Sequence, residues 1–179
     1  VLNPLLYTSA HAGQILDLLG DALVEMDEDF VYRPRIASSL EFSADSLAVT
    51  VRLRPWRWSD GEPLTARDVA ATYLLFVDPR VASPRGGGRF NNVKSVTALD
   101  DSTVRYEFRE SRNDLIATLG HFILPAHVTD RLDPASVRTW PLNERPLACG
   151  PFALESWERN QTLVLRRNEN YPGPRPRLD

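Results

Sequence analysis

Residues 46–77 constrain this chain more than any other stretch. In SLAVTVRLR, residues 46–54, Leu47, Val49, Val51 and Leu53 fall on one side, while Ala48, Thr50, Arg52 and Arg54 fall on the other. A two-residue period of this kind predicts a strand with one buried face. Trp56 and Trp58 continue the phase, and Ser59-Asp60-Gly61 supplies a turn. Thr65-Ala66-Arg67-Asp68 has the spacing of a capping box, in which the threonine hydroxyl accepts an N–H three residues on and the acidic side chain reaches back. Val69, Tyr73, Phe76 and Val77 then share one helix face, and Asp78-Pro79 ends the helix. Every residue of the tryptophan cluster has a structural task, which marks it as a folding unit rather than a site.

The remaining segments point to a mixed architecture. A helix is expected over 12–27, where Ile15, Leu18, Leu19, Ala22 and Leu23 form an apolar stripe. Before it, Pro4 disfavours helix at Asn3, so the first residues are turn or extended. Residues 80–90 form a loop with three consecutive glycines. VKSVTAL and TVRYEF flank Asp100-Asp101-Ser102 as a β-hairpin, with Val104, Tyr106 and Phe108 on one face. Short helices are expected over 113–119 and 125–132, and a second hairpin over 152–168 turning at Arg159-Asn160-Gln161. The fold class is therefore α+β, a mixed α/β chain with antiparallel pairs.

Composition narrows the function. A chain of 179 residues can bury a real core. Its formal net charge of -3 gives no basic footprint, so nucleic acid is not an expected partner. Cys149 is the single cysteine, which excludes an intrachain disulfide and a cysteine-rich metal site. No apolar run approaches the ~18 residues that cross a bilayer. The chain opens on Val1-Leu2-Asn3-Pro4 and closes on NYPGPRPRLD; both ends are expected to be cut, with any signal sequence lying before Val1. His121 and His127 are six apart, which fits neither one helix face nor a zinc spacing, so no metal and no cofactor is expected. There is no nucleophile elbow, no metalloprotease helix motif and no phosphate-cradling loop, and the carboxylates are scattered on turns. An enzyme is not expected.

Six landmarks occur in one order: LNPLL at 2–6, RPRIASSLEFS at 33–43, VRLRPWRWSDGEPLTARDV at 51–69, ILPAHV at 123–128, GPFALESW at 150–157 and LRRNENY at 165–171. Together they resemble the family 5 extracellular solute-binding proteins of bacterial ABC transporters, over essentially the whole chain. That resemblance implies the N-terminal lobe portion of a type II (cluster C) periplasmic-binding-protein fold, with an inserted antiparallel-sheet subdomain. Residues 1–30 and 149–179 are expected in the partial first lobe and 31–148 in the insertion, with the second ligand-binding lobe outside this chain. It also implies capture of a peptide or similar small solute between two lobes, delivery to an ABC permease, a periplasmic or extracellular location with a lipid anchor as one option, and a monomer. A solute-sensing domain of a transcription regulator is the alternative. At the return to the first lobe, Cys149 and Phe152 stand where the family commonly has a small polar residue and a tyrosine.

The resemblance directs the search for ligand contacts to two segments. In peptide-binding relatives the stretch after the Asn-Pro motif runs along the cleft floor. Here it is Thr8, Ser9, Ala10, His11, Ala12 and Gly13, whose small side chains leave backbone groups open to an extended ligand. Ser9 as a helix cap is the structural alternative. The loop after the capped helix offers Arg85, Arg89 and Phe90, the arginines favouring a carboxylate.

Overall fold

The computed structural model describes residues 1–159 and 161–178. The chain begins with a turn in which the Asn3 carboxamide accepts the Leu5 N–H at 2.8 Å and donates to Asn143 Oδ1 at 2.7 Å. The Asn-Pro element is thereby fixed to a distant segment. Helix α1 (Ala10–Leu19) follows, capped by the Ser9 hydroxyl on the Ala12 N–H. The helix expected to reach residue 27 stops at Gly20. The Leu19 carbonyl, which a longer helix would have used, accepts instead from the N–H groups of Cys149 and Gly150 at 3.0 and 2.9 Å. Residues 24–34 form a small hairpin of β1 (Val24–Met26) and β2 (Tyr32–Pro34). Its turn is organised by the Asp27 carboxylate, which accepts from the N–H groups of Asp29 and Val31.

Next come β3 (Ala37–Phe42), β4 (Ala48–Leu53), a two-residue ladder of β5 (Trp56–Arg57) and β6 (Pro63–Leu64), α2 (Ala66–Val77), β7 (Val93–Asp100) and β8 (Thr103–Phe108). The main sheet is antiparallel in the order β3-β4-β8-β7. In β4 the expected alternation holds at Val49 and Val51, both buried, and at exposed Arg52. Leu47 lies outside the strand and is partly exposed, while Ala48 is buried. The hairpin about Asp100-Asp101-Ser102 forms as expected, and Val104, Tyr106 and Phe108 are buried together.

Helix α2 packs across β7 and β8. Its N-terminus carries the capping box, with the Thr65 N–H donating to the Asp68 carboxylate at 2.7 Å. The same buried carboxylate accepts the Ala126 N–H at 2.7 Å, tying the helix start to the next segment. Val69, Tyr73 and Phe76 are buried as expected, but Val77 is not. Thr72 and Leu75 are also buried, so the core-facing stripe is centred near Thr72 and Phe76 and leaves Val77 at its margin. In the following loop Gly86 is a fixed point. A Cβ there would lie 2.2 Å from the Phe76 carbonyl oxygen, whereas Gly87 and Gly88 face open space.

A 3-10 turn (Leu115–Leu119), α3 (Ala126–Thr129), two further 3-10 turns (Pro134–Thr139 and Pro141–Asn143) and the antiparallel pair β9 (Phe152–Glu158) and β10 (Thr162–Arg167) complete the chain. Asn160, at the expected hairpin turn, lies outside the described residues. Two hydrophobic clusters result. The larger contains the sheet, α2 and both cluster tryptophans. The smaller joins Leu2, Leu16 and Leu19 to Ala148 and Ala153, so the N-terminal segment and α1 pack on β9–β10. Within the larger cluster Trp56 ties the sheet region to the returning C-terminal segment by donating from Nε1 to the Cys149 carbonyl at 2.7 Å. At the same junction Gly150 is a close-approach glycine, since a Cβ would lie 2.4 Å from the Gly20 carbonyl oxygen.

Candidate functional site

An open cleft of about 900 Å³ lies beside the C-terminal end of α1. One wall is the C-terminal end of α1, β1 and the residues between them, which place Asp17, Asp21 and Glu25 along the cleft. The other includes Gly88, Arg89 and Asn92 from the loop after α2, and Arg112 and Asp114 also line the cleft. Gly120 and Phe122, beyond the Leu115–Leu119 turn, contribute as well. A side groove of about 300 Å³ adjoins it, lined by Tyr7, Arg85, Arg89, His121 and Phe122. Tyr7, Gly88, Arg89, Gly120 and Phe122 line both, so the two form one continuous depression.

On the acidic wall Asp21 and Glu25 are paired with one cation. Arg35 donates to the buried Asp21 carboxylate at 3.1 Å, meets Glu25 at 3.1 Å and donates to the Tyr171 hydroxyl at 2.9 Å. Burial raises the Asp21 carboxyl, and the Arg35 guanidinium opposes that rise. The opposite wall is different. Arg89 Nη1 donates to the carbonyls of Ala117 and Gly120 at 2.7 and 3.1 Å, which holds its guanidinium in place. Arg85 lies over the Tyr7 ring, 4.2 Å from its centroid, and donates to the Tyr7 hydroxyl. Among the described residues no carboxylate reaches either arginine within 4.0 Å.

Beneath this wall His121 is 4% exposed. Its Nδ1 lies 2.9 Å from the Phe122 carbonyl and its Nε2 3.1 Å from the Tyr106 hydroxyl. The carbonyl can only accept, so Nδ1 carries the proton and Nε2 accepts from Tyr106. Burial lowers the His121 pKa to about 4. The imidazole is therefore a neutral structural pin at the cleft base.

The expected site residues separate. Arg85 and Arg89 line the depression. Phe90 does not: it is 4% exposed and packs among Tyr73, Phe76 and His121, with ring centroids 5.2 to 5.5 Å apart. An aromatic next to a polar loop satisfies either setting, and here the core takes it. Thr8, Ser9, Ala10 and His11 are exposed and none lines the depression. Ala10 and His11 are already helical, and the Ser9 hydroxyl and carbonyl are occupied by the N–H groups of Ala12 and Gly13. The strand-like pairing surface expected from this stretch is thereby reduced to Thr8 and Ser9. The residue that does enter the cleft is Tyr7, one position upstream. It is wedged against Gly13, where a Cβ would lie 3.2 Å from the ring, and stands edge-on to Phe122 at 6.3 Å.

Residues 31–179 match the profile of bacterial extracellular solute-binding proteins, family 5 Middle. Protein XP55 of Streptomyces lividans is 31% identical over 158 residues, covering 87% of this chain and 28% of its own length. The structure of the oligopeptide-binding protein AppA of Bacillus subtilis, in complex with a nonapeptide, superposes with a TM-score of 0.88 at 25% identity, over 94% of this chain and 34% of that one. That of MoaA from A. tumefaciens R10, in complex with mannopinic acid, gives a TM-score of 0.85 at 28% identity, over 99% of this chain and 36% of that one. The chain thus spans between about a quarter and about a third of the length of the relatives it matches.

Proposed function

Because the chain belongs to the bacterial extracellular solute-binding proteins of family 5, we propose that its cleft is one wall of the solute site in the substrate-binding component of an ABC importer. The site binds and releases without making or breaking a bond. The observation that carries this reading is the open, two-sided depression on a fold that superposes on binding proteins caught with their ligands. A cleft of about 900 Å³ is at the large end of what small-molecule sites use, about 300–1,000 Å³, and it is open rather than closed over a ligand. A second lobe closing over it would bury the solute and create the form a permease recognises. Affinity then depends on how much better the closed state holds the solute than the open one.

In this reading residues 1–30 and 149–179 form part of the first lobe and 31–148 an inserted subdomain; the packing of α1 on β9, which brings the two chain ends together, supports that division. The contact set is Tyr7, Arg85 and Arg89, with Thr8 and Ser9 at its edge. The protein acts as a monomer outside the cytoplasmic membrane, with the permease as its macromolecular partner. The regulator alternative draws no support from the relatives. A nonapeptide and mannopinic acid are very different ligands for related folds, so the solute class must come from this chain's own side chains.

Native mass spectrometry of the full-length gene product, purified without denaturation, tests the reading. A small solute retained at unit stoichiometry is expected. A product that purifies empty and takes up nothing from peptide and sugar-acid mixtures would count against it.

A further inference from the structure

Resting on that reading, we propose that Phe30, at the closed end of the β1–β2 hairpin, is a closing contact for the second lobe. It sets how tightly the cleft shuts without touching the solute. Phe30 is 80% exposed, the most exposed large apolar side chain among the described residues. Met26 and Val31 beside it are exposed as well. Its backbone sits at φ 60°, in the left-handed region that glycine enters freely and a residue with a Cβ enters at a cost. The ring packs into neither hydrophobic cluster, so burial within the chain does not offset that cost. A strained backbone that holds an aromatic in solvent points to a contact made outside the described residues.

The position of the tip identifies the occupant. Met26 and Tyr32 pair across the hairpin and both line the cleft, so the tip stands at the rim of that depression. Phe30 itself lines neither the cleft nor its side groove. A lobe that shuts over the cleft comes down on this rim. The tip is set beforehand: the Phe30 N–H donates to the Asp27 carbonyl at 3.0 Å, the Asp27 N–H to the Val31 carbonyl at 2.9 Å, and Arg33 to the Asp27 carboxylate at 2.7 Å. A contact ordered in advance costs less entropy to make. Glu28 and Asp29 precede the ring, and among the described residues no cation reaches either within 4.0 Å. The receiving surface is therefore an apolar recess with a basic rim. The same carboxylates repel an anionic membrane surface and the matching tip of a second copy. Because the contact exists only in the closed state, it favours closure for every solute alike.

The test compares the full-length gene product with its Phe30→Gly variant, using a mixture of peptides and sugar acids as the probe. Calorimetric titration is expected to show about tenfold weaker uptake by the variant, the order expected when a partly buried phenylalanine leaves an interface. Native mass spectrometry should find the same components retained by both proteins. Phe30→Leu should keep part of the affinity. The solute-free glycine variant should unfold in urea at the parent's midpoint or above it, because glycine relieves the backbone. Unchanged affinity would overturn the closing contact and leave solute binding standing. A changed set of retained components would overturn it too, by making Phe30 a solute contact, and a lower midpoint would do so by making it a fold residue. A parent that takes up nothing from the mixture would overturn both the contact and the solute site.

Discussion

Replacing Trp56 with alanine should lower the unfolding free energy by about 4 kcal/mol, enough to leave a domain of this size marginal. The side chain is 7% exposed, so most of its area is lost to a cavity. Its Nε1–H is the donor to the Cys149 carbonyl, and its ring meets Tyr171 edge-on at 5.6 Å. Removing it cuts the contact between the β4–α2 region and the returning C-terminal segment and strands a buried carbonyl. Trp56→Phe keeps much of the ring and loses the donor, so about half of the loss is expected. Urea unfolding of both variants measures this. An alanine variant within about 1 kcal/mol of the parent would show that the tryptophan cluster does not hold the fold together.

Lowering the pH from 6.5 to about 4 should remove on the order of 3 kcal/mol through His121 alone. The folded imidazole is held neutral by burial, with a pKa lowered to about 4 against an ordinary 6.5. Between those values the unfolded chain binds a proton that the folded chain refuses, so stability falls as pH falls. Other groups act elsewhere or in the other direction. Asp27, Asp78 and Asp100 are held below the usual carboxylate range by hydrogen bonds, and their contributions are lost only at lower pH. Burial raises Asp21 and Asp68, which works the opposite way. The informative quantity is therefore the difference in slope between the parent and His121→Gln, whose amide can donate to Phe122 and accept from Tyr106. A flatter dependence in the variant is expected between pH 6.5 and about 4; identical slopes would contradict a neutral buried imidazole.

How far the sequence was legible follows from where each determinant lies. β4 and α2 were readable because their determinants are local: the alternation through Val49 and Val51, and a capping box three residues long. The end of α1 was not. Gly20 is followed in the sequence by more helix-compatible residues, and the helix stops because Cys149 and Gly150, about 130 positions away, take the Leu19 carbonyl. The hairpin of β1 and β2 was hidden for the same reason, since an apolar run in a short strand looks like the next turn of a helix.

The site divides in the same way. Arg85 and Arg89 could be nominated from the sequence because two arginines in a glycine loop have no local partner. Phe90, one residue on, has the same neighbours in sequence and the opposite fate, set by Tyr73, Phe76 and His121. Tyr7 was passed over because what holds it at the cleft, Arg85 above and Phe122 beside it, comes from other parts of the chain. The available signal was modest: an aromatic directly after the Asn-Pro turn and before the Ser9 cap.

The central claim is that these residues form one open wall of a solute site. Calorimetric titration of this 179-residue chain with a peptide mixture, repeated with the full-length gene product, tests it most directly. The account predicts that the chain alone binds no tighter than about 100 μM and that the full-length product binds far more tightly, because on this account a second lobe supplies most of the burying surface. Submicromolar binding by the chain alone would contradict it.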